Sequence, residues 1–481
     1  MYRYLLQTSF CLLVGVALVV VGAKPNIVTP PDANDVNTVD ANTGPHRSPV
    51  DLVISHDNSW LVTANQTSNT ASLVRVADGT ILDEVTVGRR PSGLILSPDG
   101  KRVLITASYA GNLVVLEVRE DKLEEVAKIH VGFEPHGIAI DPNGRIAYVA
   151  LTAAAEVAVV DLESQTVTDR IDVGRWPRHL ALSPDGSRLA VGTSGDRGVS
   201  VVDTQTKKML FIESFIGLNI GHMKVSSDGK HVYFPWVIYR SLPITKQNIQ
   251  LGWVLATRIG RIQLDGPARR AAVSLDPRGR AISDPCGLAF TSDEKRLVVS
   301  ASGTHELLVY RADLPFQDSG GTDHIPRQLL NDKDRFDRIE LGGRPMGLQI
   351  ATDDRTVFVA NYLDDSIQVV DIVERKLIRS IPLGGPDKPS LARQGEAIFY
   401  DAKRSLDQWY SCQTCHQDGG TNSVVMDTLN DGSNLSFKTV LPLYNVSDTA
   451  PWTWHGWQTD LHAAMHKSIT STMLGPAPTD A

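Results

Sequence analysis

Cysteine is scarce in this sequence, with four residues in a chain of 481. Cys11 lies within an apolar run at the N-terminus, so removal of that run leaves Cys286, Cys412 and Cys415. An odd number of thiols excludes a framework in which every cysteine forms an intramolecular disulfide. At least one thiol is therefore expected to serve another kind of chemistry.

An excess of positive charge is also missing. The net charge is −8, which argues against a nucleic-acid partner. Hydrophobic residues make up 42% of the chain and charged residues 21%, which is typical of a globular rather than a disordered protein. At this length we expect two domains or one large repeat array.

The apolar N-terminal run predicts an export signal. Arg3 supplies a positive start, and Phe10–Ala23 is too short to span a bilayer comfortably. We place cleavage after Ala23, which gives a signal peptide over residues 1–23 and a flexible leader over 24–45. The protein is then periplasmic or extracellular. The alternative is an uncleaved anchor, the one case in which we expect membrane association.

A strand-like pattern recurs seven times from residue 46, at intervals of about 42 residues where nothing is inserted. Each copy opens with a short stretch around a proline, or around the residue that stands at the same position of the repeat. This stretch is called here the blade start. Apolar runs and turns of the Pro-Asp-Gly type follow, which indicate hairpins. Four short strands per repeat are typical of a propeller blade, and seven blades can close a ring. We predict a mainly β fold, with a seven-bladed β-propeller over residues 46–385. The copies are Ser48–Gln66, Arg90–Ser108, Glu134–Thr152, Trp176–Ser194, Asn219–Val237, Asp284–Ser302 and Arg344–Tyr362.

The strand "VFVANY" (Val357–Tyr362) resembles the eponymous strand of the YVTN family of seven-bladed β-propellers. The resemblance extends over about Arg47–Gly385 and implies the fold, but propellers host many chemistries. Two blades carry longer segments, at about 239–281 and 313–338. Such segments commonly contact a partner or another domain. Solvated surface loops are the alternative.

Two of the cysteines stand three residues apart in "CQTCH" (Cys412–His416). On a helical turn both thiols can reach one edge of a porphyrin, and the following histidine can bind its iron. The motif predicts one covalently attached haem c, with Cys412 and Cys415 as attachment sites and His416 as proximal ligand. A redox pair and half of a zinc site are the alternatives. The former needs no histidine, and the latter lacks its second pair of ligands.

The sequence around this motif resembles the haem domains of the bacterial di-haem cytochrome c peroxidase family. The matching residues are Gly395-Glu396 with Phe399, the CxxCH itself, Asn445-Val446, Thr449-Ala450-Pro451 and Trp454–Gly456. The resemblance implies a small α-helical cytochrome c domain over residues 386–481. That family carries two CxxCH motifs and this chain has one. Either the chain is a fragment or the second haem is absent, and two-haem peroxide chemistry is in doubt.

The sequence that follows the motif contains three candidates for the second axial ligand of the iron. His455 comes first, because it lies in the stretch that resembles haem-pocket sequence, and Met465 and Met426 follow. A methionine ligand raises the reduction potential and a histidine ligand lowers it. His462 and His466 are more typical of surface histidines.

Oxygen-bearing side chains cluster in the same region. Hard oxygen ligands suit Ca²⁺, so a calcium site is a second prediction for it, although turn chemistry explains the same residues without a metal. The candidate ligands are Asp418, Asn422, Asp427, Asn430 and Asp431.

The blade starts are expected to converge on the propeller axis, because the innermost strand of each blade begins there. His136, His179, His222, Cys286 and Met346 would then share one channel mouth. A metal or cofactor on the axis is one interpretation. A polar, water-filled channel with a buried thiol is the favoured one, because the histidines are offset by one position between blades.

Together these observations predict an exported c-type cytochrome that transfers electrons to or from a redox partner protein in the periplasm. If the protein is an enzyme, we expect it to be a peroxidase-like oxidoreductase. Two alternatives stay open. One is a propeller that binds a protein or small molecule beside a haem redox sensor. The other is a propeller-centred metalloenzyme that receives electrons from the haem. Catalytic residues are not assigned.

Covalent attachment of the haem is directly testable. When the chain is exported from a host that matures c-type cytochromes, the intact mass should exceed that of the mature polypeptide by one haem, because both thiols form thioethers. The double variant Cys412→Ala/Cys415→Ala should lose that increment. Haem that leaves the wild-type protein in acid acetone would contradict the prediction.

Overall fold

The computed structural model describes residues 44–266, 270–311, 313–318 and 320–478. The predicted signal peptide lies outside these residues, and so does the leader up to residue 43. No helix within the described ranges is long and apolar enough to cross a lipid bilayer.

The first four blades are built in one simple way. In each of them, four consecutive strands form an antiparallel sheet in chain order. Their middle strands are buried along most of their length, while the outermost strand alternates or is exposed. The strands are β1 (Pro49–Ile54), β2 (Trp60–Asn65), β3 (Thr70–Arg75), β4 (Ile81–Thr86), β5 (Pro91–Leu96), β6 (Arg102–Ala107), β7 (Asn112–Arg119), β8 (Lys122–His130), β9 (Pro135–Ile140), β10 (Ile146–Leu151), β11 (Glu156–Asp161), β12 (Thr166–Asp172), β13 (Pro177–Leu182), β14 (Arg188–Thr193), β15 (Gly198–Asp203) and β16 (Lys208–Ser214).

The other three sheets complete the ring, so the seven-bladed propeller is confirmed. Their strands are β17 (Gly217–Leu218), β18 (Lys224–Val225), β19 (His231–Tyr239), β20 (Leu255–Gln263), β21 (Ala271–Ser274), β22 (Pro285–Phe290), β23 (Arg296–Ala301), β24 (Glu306–Arg311), β25 (Gln317–Asp318), β26 (Phe336–Glu340), β27 (Pro345–Ile350), β28 (Thr356–Asn361), β29 (Ser366–Asp371) and β30 (Lys376–Pro382). Blade seven again pairs four consecutive strands, β27–β30.

Blade five receives its last strand from the chain segment of blade six. In blade five, β17 and β18 both pair with β19, followed by β20 and β21. The next strand of that sheet, β25, comes from the longer segment of blade six, and Ala271 pairs with Asp318. The two longer segments therefore contribute strands to the sheets. They also hold the short helices α1 (Lys246–Gln250) and α2 (Arg327–Leu330).

Apolar packing between blades forms the core. Each junction between neighbouring blades holds its own cluster of buried side chains. At the junction of blades two and three, for example, Leu104 and Leu113 pack with Val149 and Val160. Burial of such aliphatic side chains stabilises the fold by about 1.5–3 kcal/mol each.

Glycine in the blade starts allows the innermost strands to approach one another. A Cβ atom at Gly93 would lie 2.8 Å from the carbonyl oxygen of His136, and one at Gly287 would lie 2.6 Å from that of Met346. Real side chains do not fit at such distances, so any other residue would push neighbouring blades apart. The recurring glycine two positions after the blade-start proline is thus explained by close packing at the axis.

The ring closes between blades seven and one without a shared strand. Asp365, in the turn between β28 and β29, joins three parts of the chain. His46 Nδ1 lies 2.5 Å from Asp365 Oδ2, and the Ser48 N–H donates to Oδ1 at 2.7 Å. Arg393 Nη2 donates to the same Oδ1 at 3.3 Å. One carboxylate therefore ties the start of blade one, blade seven and the following helix together.

The C-terminal segment (386–478) has few and short helices, so the predicted α-helical cytochrome c domain is not confirmed. The longest described helix of the segment, α3, has nine residues. Its elements are α3 (Leu391–Phe399), α4 (Cys412–Cys415), α5 (Leu461–Lys467), a π-helical turn (Ser468–Thr472), β31 (Val425–Met426), β32 (Lys438–Thr439) and four 3-10 turns (Ala402–Arg404, Leu406–Gln408, Gln417–Gly419 and Val446–Asp448).

This segment packs on blade five instead of forming a separate helical core. Trp409, Tyr410 and Met426 share one apolar cluster, called here the C-terminal cluster, with Tyr239 and Ile244 of the propeller. The Ile244 N–H donates to the Asp427 carbonyl at 2.9 Å, and the Ala281 N–H to the Asp407 carbonyl at 2.8 Å. The longer segment 239–281 therefore contacts the C-terminal segment.

Asp365→Asn should weaken ring closure. The variant removes the charge that faces His46 and Arg393 but tolerates the left-handed backbone at this position, where φ is 47°. We expect the free energy of unfolding to fall by about 2 kcal/mol, because hydrogen bonds to charged groups contribute about 1.5–3 kcal/mol. Urea denaturation followed by tryptophan fluorescence measures the change.

Asp121→Asn is the matched control. Asp121 pairs with Arg75 at 3.2 Å, and both side chains are mostly in contact with solvent. Exposed pairs contribute little, so this variant should unfold at the wild-type urea concentration. Equal losses in the two variants would show that Asp365 has no special role in closure.

Candidate functional site

A buried carboxylate, Asp284, anchors α4 to the propeller just before the blade-start proline of blade six. Ser411 Oγ donates to Asp284 Oδ2 at 2.5 Å, and Thr414 Oγ1 donates to Oδ1 at 2.6 Å. Burial raises the pKa of Asp284, although both hydroxyl hydrogen bonds favour its charged form. The Ser411 N–H also donates to Thr414 Oγ1 at 3.0 Å, so the same side chains close the first turn of α4.

A second carboxylate, Asp418, extends from the turn after α4 over the propeller axis. Arg178 Nη1 donates to Asp418 Oδ2 at 2.5 Å, and Arg90 Nη2 lies 3.8 Å from Oδ1. Burial opposes ionisation of Asp418, but Arg178 and Arg90 outweigh it and hold the pKa well below its usual range. The C-terminal segment thus presents a fixed negative charge to the arginines of the blade starts.

The blade starts and the turn after α4 enclose a cavity of about 170 Å³, called here the axial cavity. Gln413, Gln417 and Asp418 line it from the C-terminal segment. The structure brings all the predicted channel-mouth residues to this one cavity. Its blade-start residues include His136, His179, His222, Cys286 and Met346, together with Arg90, Arg178 and Arg344.

The one-position offset between the histidines does not separate them. In the blade starts of blades three and four, two residues of the innermost strand oppose one residue of the next strand. Such a bulge redirects side chains. As a result, the ring centroids of His136 and His179 lie 5.0 Å apart, and those of His179 and His222 lie 4.7 Å apart.

These histidines are neutral near pH 7. Burial lowers the pKa of all three, that of His136 to about 3. Burial also raises the pKa of Cys286 to about 12, so its thiol is not a reactive thiolate. Within the described ranges, no group of three or more His, Cys, Asp or Glu side chains is arranged to hold a metal ion.

The two cysteines of α4 face the C-terminal cluster. Cys415 is 8% exposed and packs in this cluster with Tyr410, Val424 and Met426. The cysteines form no disulfide, and burial raises the pKa of Cys412 to about 11 and that of Cys415 to about 12. Redox-active pairs depend on a lowered thiol pKa. The environment therefore argues against thiol–disulfide exchange.

His416, directly after α4, lines a second cavity of about 220 Å³. Met426 and His455, two of the three candidates for the second axial ligand, line the same cavity. Met465 is 41% exposed and is not among the lining residues. Because Met426 also belongs to the C-terminal cluster, the thiols and the second cavity are neighbours.

Several buried polar atoms near the motif lack hydrogen-bond partners among the residues that the structure describes. They are Gln408 Oε1, Trp409 Nε1, Tyr410 Oη and His416 Nδ1. An unsatisfied buried group costs about 1–3 kcal/mol, so native proteins rarely leave one. Two free thiols on one turn, an imidazole on a cavity wall and these unpartnered atoms are the features of this region that an additional bound group of mixed polarity would satisfy.

All five candidate calcium ligands have other partners, since Asn422 Oδ1 accepts the Val424 N–H and Asn430 Nδ2 donates to Thr472 Oγ1. Asp418 pairs with the blade-start arginines, and Lys438 Nζ pairs with Asp431. The Asp427 carboxylate accepts the backbone N–H groups of Leu429 and Leu435. The calcium site stays a prediction from the sequence.

The anchoring role of Asp284 and Asp418 was missed from the sequence, where Asp418 was only a candidate calcium ligand. A usable signal was present in the blade starts. Arg90, Arg178 and Arg344 each adjoin a blade-start proline, and the convergence of blade starts at the axis places their charges together. A cluster of guanidinium groups at one point predicts an acidic partner.

Comparison with known proteins adds evidence on the fold. No family model matches the sequence, and no curated protein matches it either. Among solved structures, the chain is similar to one from "Kuenenia stuttgartiensis Hydrazine Synthase", with a TM-score of 0.62 and 22% sequence identity. The match covers 70% of this chain and 98% of that chain. Identity at this level shows a shared fold alone, so the class established is that of seven-bladed β-propellers.

Asp418→Asn should release the turn after α4 from the axis. We expect the free energy of unfolding to fall by about 2 kcal/mol at pH 7, because the variant leaves the blade-start arginines without their charged partner. The pKa of Asp418 is lower in the folded than in the unfolded chain, where it is about 3.9. Its stabilisation is therefore present above that value and lost as the pH falls further. Urea denaturation at pH 7 and pH 3 should show a smaller difference in stability between the variant and the wild type at the lower pH, where part of the stabilisation is lost.

Asp407→Asn is the matched control for this measurement. Asp407 lies in the same segment with nearly the same backbone conformation, φ 53° against 55° for Asp418. It forms no ion pair among the described residues. If the difference in the free energy of unfolding between Asp418→Asn and the wild type is the same at pH 7 and pH 3, the electrostatic explanation is contradicted.

Proposed function

We propose that the protein is an exported c-type cytochrome that transfers electrons in the periplasm. The observation that carries this proposal is the arrangement around α4. Two free thiols, the half-buried Cys412 and the buried Cys415, lie on one helical turn, and the histidine that follows lines a cavity together with Met426. The unpartnered buried atoms of Trp409 and Tyr410 support the presence of a further group there.

The chain contributes attachment, ligation and exclusion of water. Cys412 and Cys415 would form the two thioethers, and His416 would supply an imidazole nitrogen to the iron. When bound, the haem supplies a one-electron redox couple. The C-terminal cluster keeps water from the attachment side, which matters because burial and local hydrogen bonding set the potential of such a couple.

Met426 is the better supported of the two candidates for the second axial ligand. Its side chain is 5% exposed and lies between the thiols and the second cavity. His455 lines the same cavity but is exposed. A buried Met426 thioether that bound the iron would raise the potential of the couple, which suits electron transfer more than peroxide activation.

The propeller would act as the rigid support of the haem-binding turn. Asp284 and Asp418 hold α4 and the following turn against the blade starts. The resemblance of the propeller to the YVTN family supports such a scaffold. The resemblance of the C-terminal segment to the di-haem cytochrome c peroxidase family supports haem chemistry. The short apolar N-terminal run supports export.

Visible spectroscopy and potentiometric titration of the purified holoprotein test the proposal. His416→Ala should keep the haem covalently attached but convert the spectrum to high-spin and shift the midpoint potential strongly. Met426→Leu should also change the spin state and lower the potential, because it removes the proposed thioether ligand. Met465→Leu is the matched control and should leave both quantities unchanged.

Two results would contradict parts of this proposal. A wild-type spectrum that is unaffected by Met426→Leu and altered by His455→Ala would assign the second ligand to His455. A wild-type protein that binds no haem after export through a cytochrome c maturation system would exclude the proposed function altogether.

A further inference from the structure

Arg344 is a buried cation that no described carboxylate contacts directly, although Asp418 and Asp284 lie near enough to interact with its charge. Its side chain is 4% exposed and lines the axial cavity. The guanidinium carbon lies 3.5 Å from the ring centroid of Tyr400 and 4.9 Å from that of Tyr362. Within the part of the chain that the structure describes, its side chain forms no ion pair or hydrogen bond, and Nε is buried and unpartnered. Proteins rarely leave a buried charge in this state, because it costs several kcal/mol.

The acidic groups of the axial cavity are engaged elsewhere. Asp418 pairs with Arg178 and Arg90, and the Asp284 carboxylate accepts two hydroxyl hydrogen bonds. No described ion pair joins Arg344 to Glu134, the other carboxylate on the cavity wall. Stacking on tyrosine rings holds the guanidinium in place but leaves its N–H edge free for a ligand.

Neutral polar groups of the cavity and of its surroundings lie close to this cation. Burial raises the pKa of Tyr400 and of Cys286 to about 12, so neither supplies a negative charge near pH 7. His136 Nδ1 is a second buried polar atom without a described partner. Gln413 and Gln417 add amide groups to the same walls. Donors therefore surround the cavity, and none of its described carboxylates forms an ion pair or hydrogen bond with the Arg344 side chain.

The axial cavity has a route to the outside. A neighbouring cavity of about 490 Å³ shares Gln66, Arg90, Tyr109 and Asp418 with it as lining residues. Tyr109 is exposed, and its hydroxyl oxygen accepts from Arg90 Nη1 at 2.5 Å. A small solute can reach the blade-start arginines through this neighbouring cavity.

We propose that the axial cavity binds a small oxygen-bearing anion, a carboxylate or an inorganic oxyanion, against Arg344 and His136. The guanidinium N–H edge matches the two oxygen atoms of such a ligand. The volume of about 170 Å³ admits an anion of a few heavy atoms. The site lies on the propeller side of α4 and does not depend on the proposed haem function.

Thermal unfolding of the full-length protein tests this site with defined probes. Sodium acetate represents the carboxylates and sodium nitrate the inorganic oxyanions, at constant ionic strength in a low-chloride zwitterionic buffer. A ligand of the folded state raises the midpoint in a saturable way, from which the dissociation constant follows. We expect saturable stabilisation by acetate, nitrate or both, which identifies the preferred kind of anion, and none by chloride or neutral acetamide.

Arg344→Gln should weaken the affinity for the stabilising anion at least tenfold. Arg175→Gln is the matched control, because Arg175 adjoins a blade start but pairs with Asp196 outside the cavity, and it should bind like the wild type. If Arg344→Gln does not fold, His136→Gln replaces it and should weaken binding at least threefold.

Three outcomes would overturn the proposal. The first is the absence of saturable stabilisation of the wild type by either acetate or nitrate. The second is equal stabilisation by chloride or acetamide, which would show a salt or solvent effect instead of recognition. The third is an unchanged affinity in the folded variant at Arg344 or, failing that, at His136.

Discussion

The convergence of seven innermost strands on one axis is the constraint on which the rest of the structure depends. It requires glycine where backbones approach most closely, as at Gly93 and Gly287. It also crowds the blade-start side chains together, so that the guanidinium groups of Arg90 and Arg178 meet at one end of the ring. That concentration of positive charge is balanced by Asp418 of the C-terminal segment. The position of the segment therefore follows from the geometry of the ring.

A single helical turn connects three environments. Gln413 of α4 lines the axial cavity, Cys412 and Cys415 face the C-terminal cluster, and His416 lines the second cavity. The turn is too short to be stable alone, so its conformation depends on the hydrogen bonds to Asp284. A displacement of that carboxylate would therefore move residues in the axial cavity, in the C-terminal cluster and in the second cavity.

The propeller could be predicted from sequence because strand periodicity and turn residues are local signals repeated seven times. The meeting of His136, His179 and His222 could be predicted as well, since it follows from their positions in the blade starts. The organisation of the C-terminal segment could not. Its apolar residues, such as Trp409 and Met426, are buried against blade five, and helical spacing does not reveal a partner that lies far away in the sequence. The long-range pairing of Asp418 was hidden for the same reason.

The contribution of β25 to the sheet of blade five distinguishes two blades from the others. Most blades contact only their neighbours, and such repeats can open one at a time. Blade five cannot lose its outer edge unless the connection between β24 and β26 of blade six also moves. The amide protons of these two blades should then exchange with solvent in a common opening event. The part of the ring that carries the C-terminal segment is thereby a single cooperative unit.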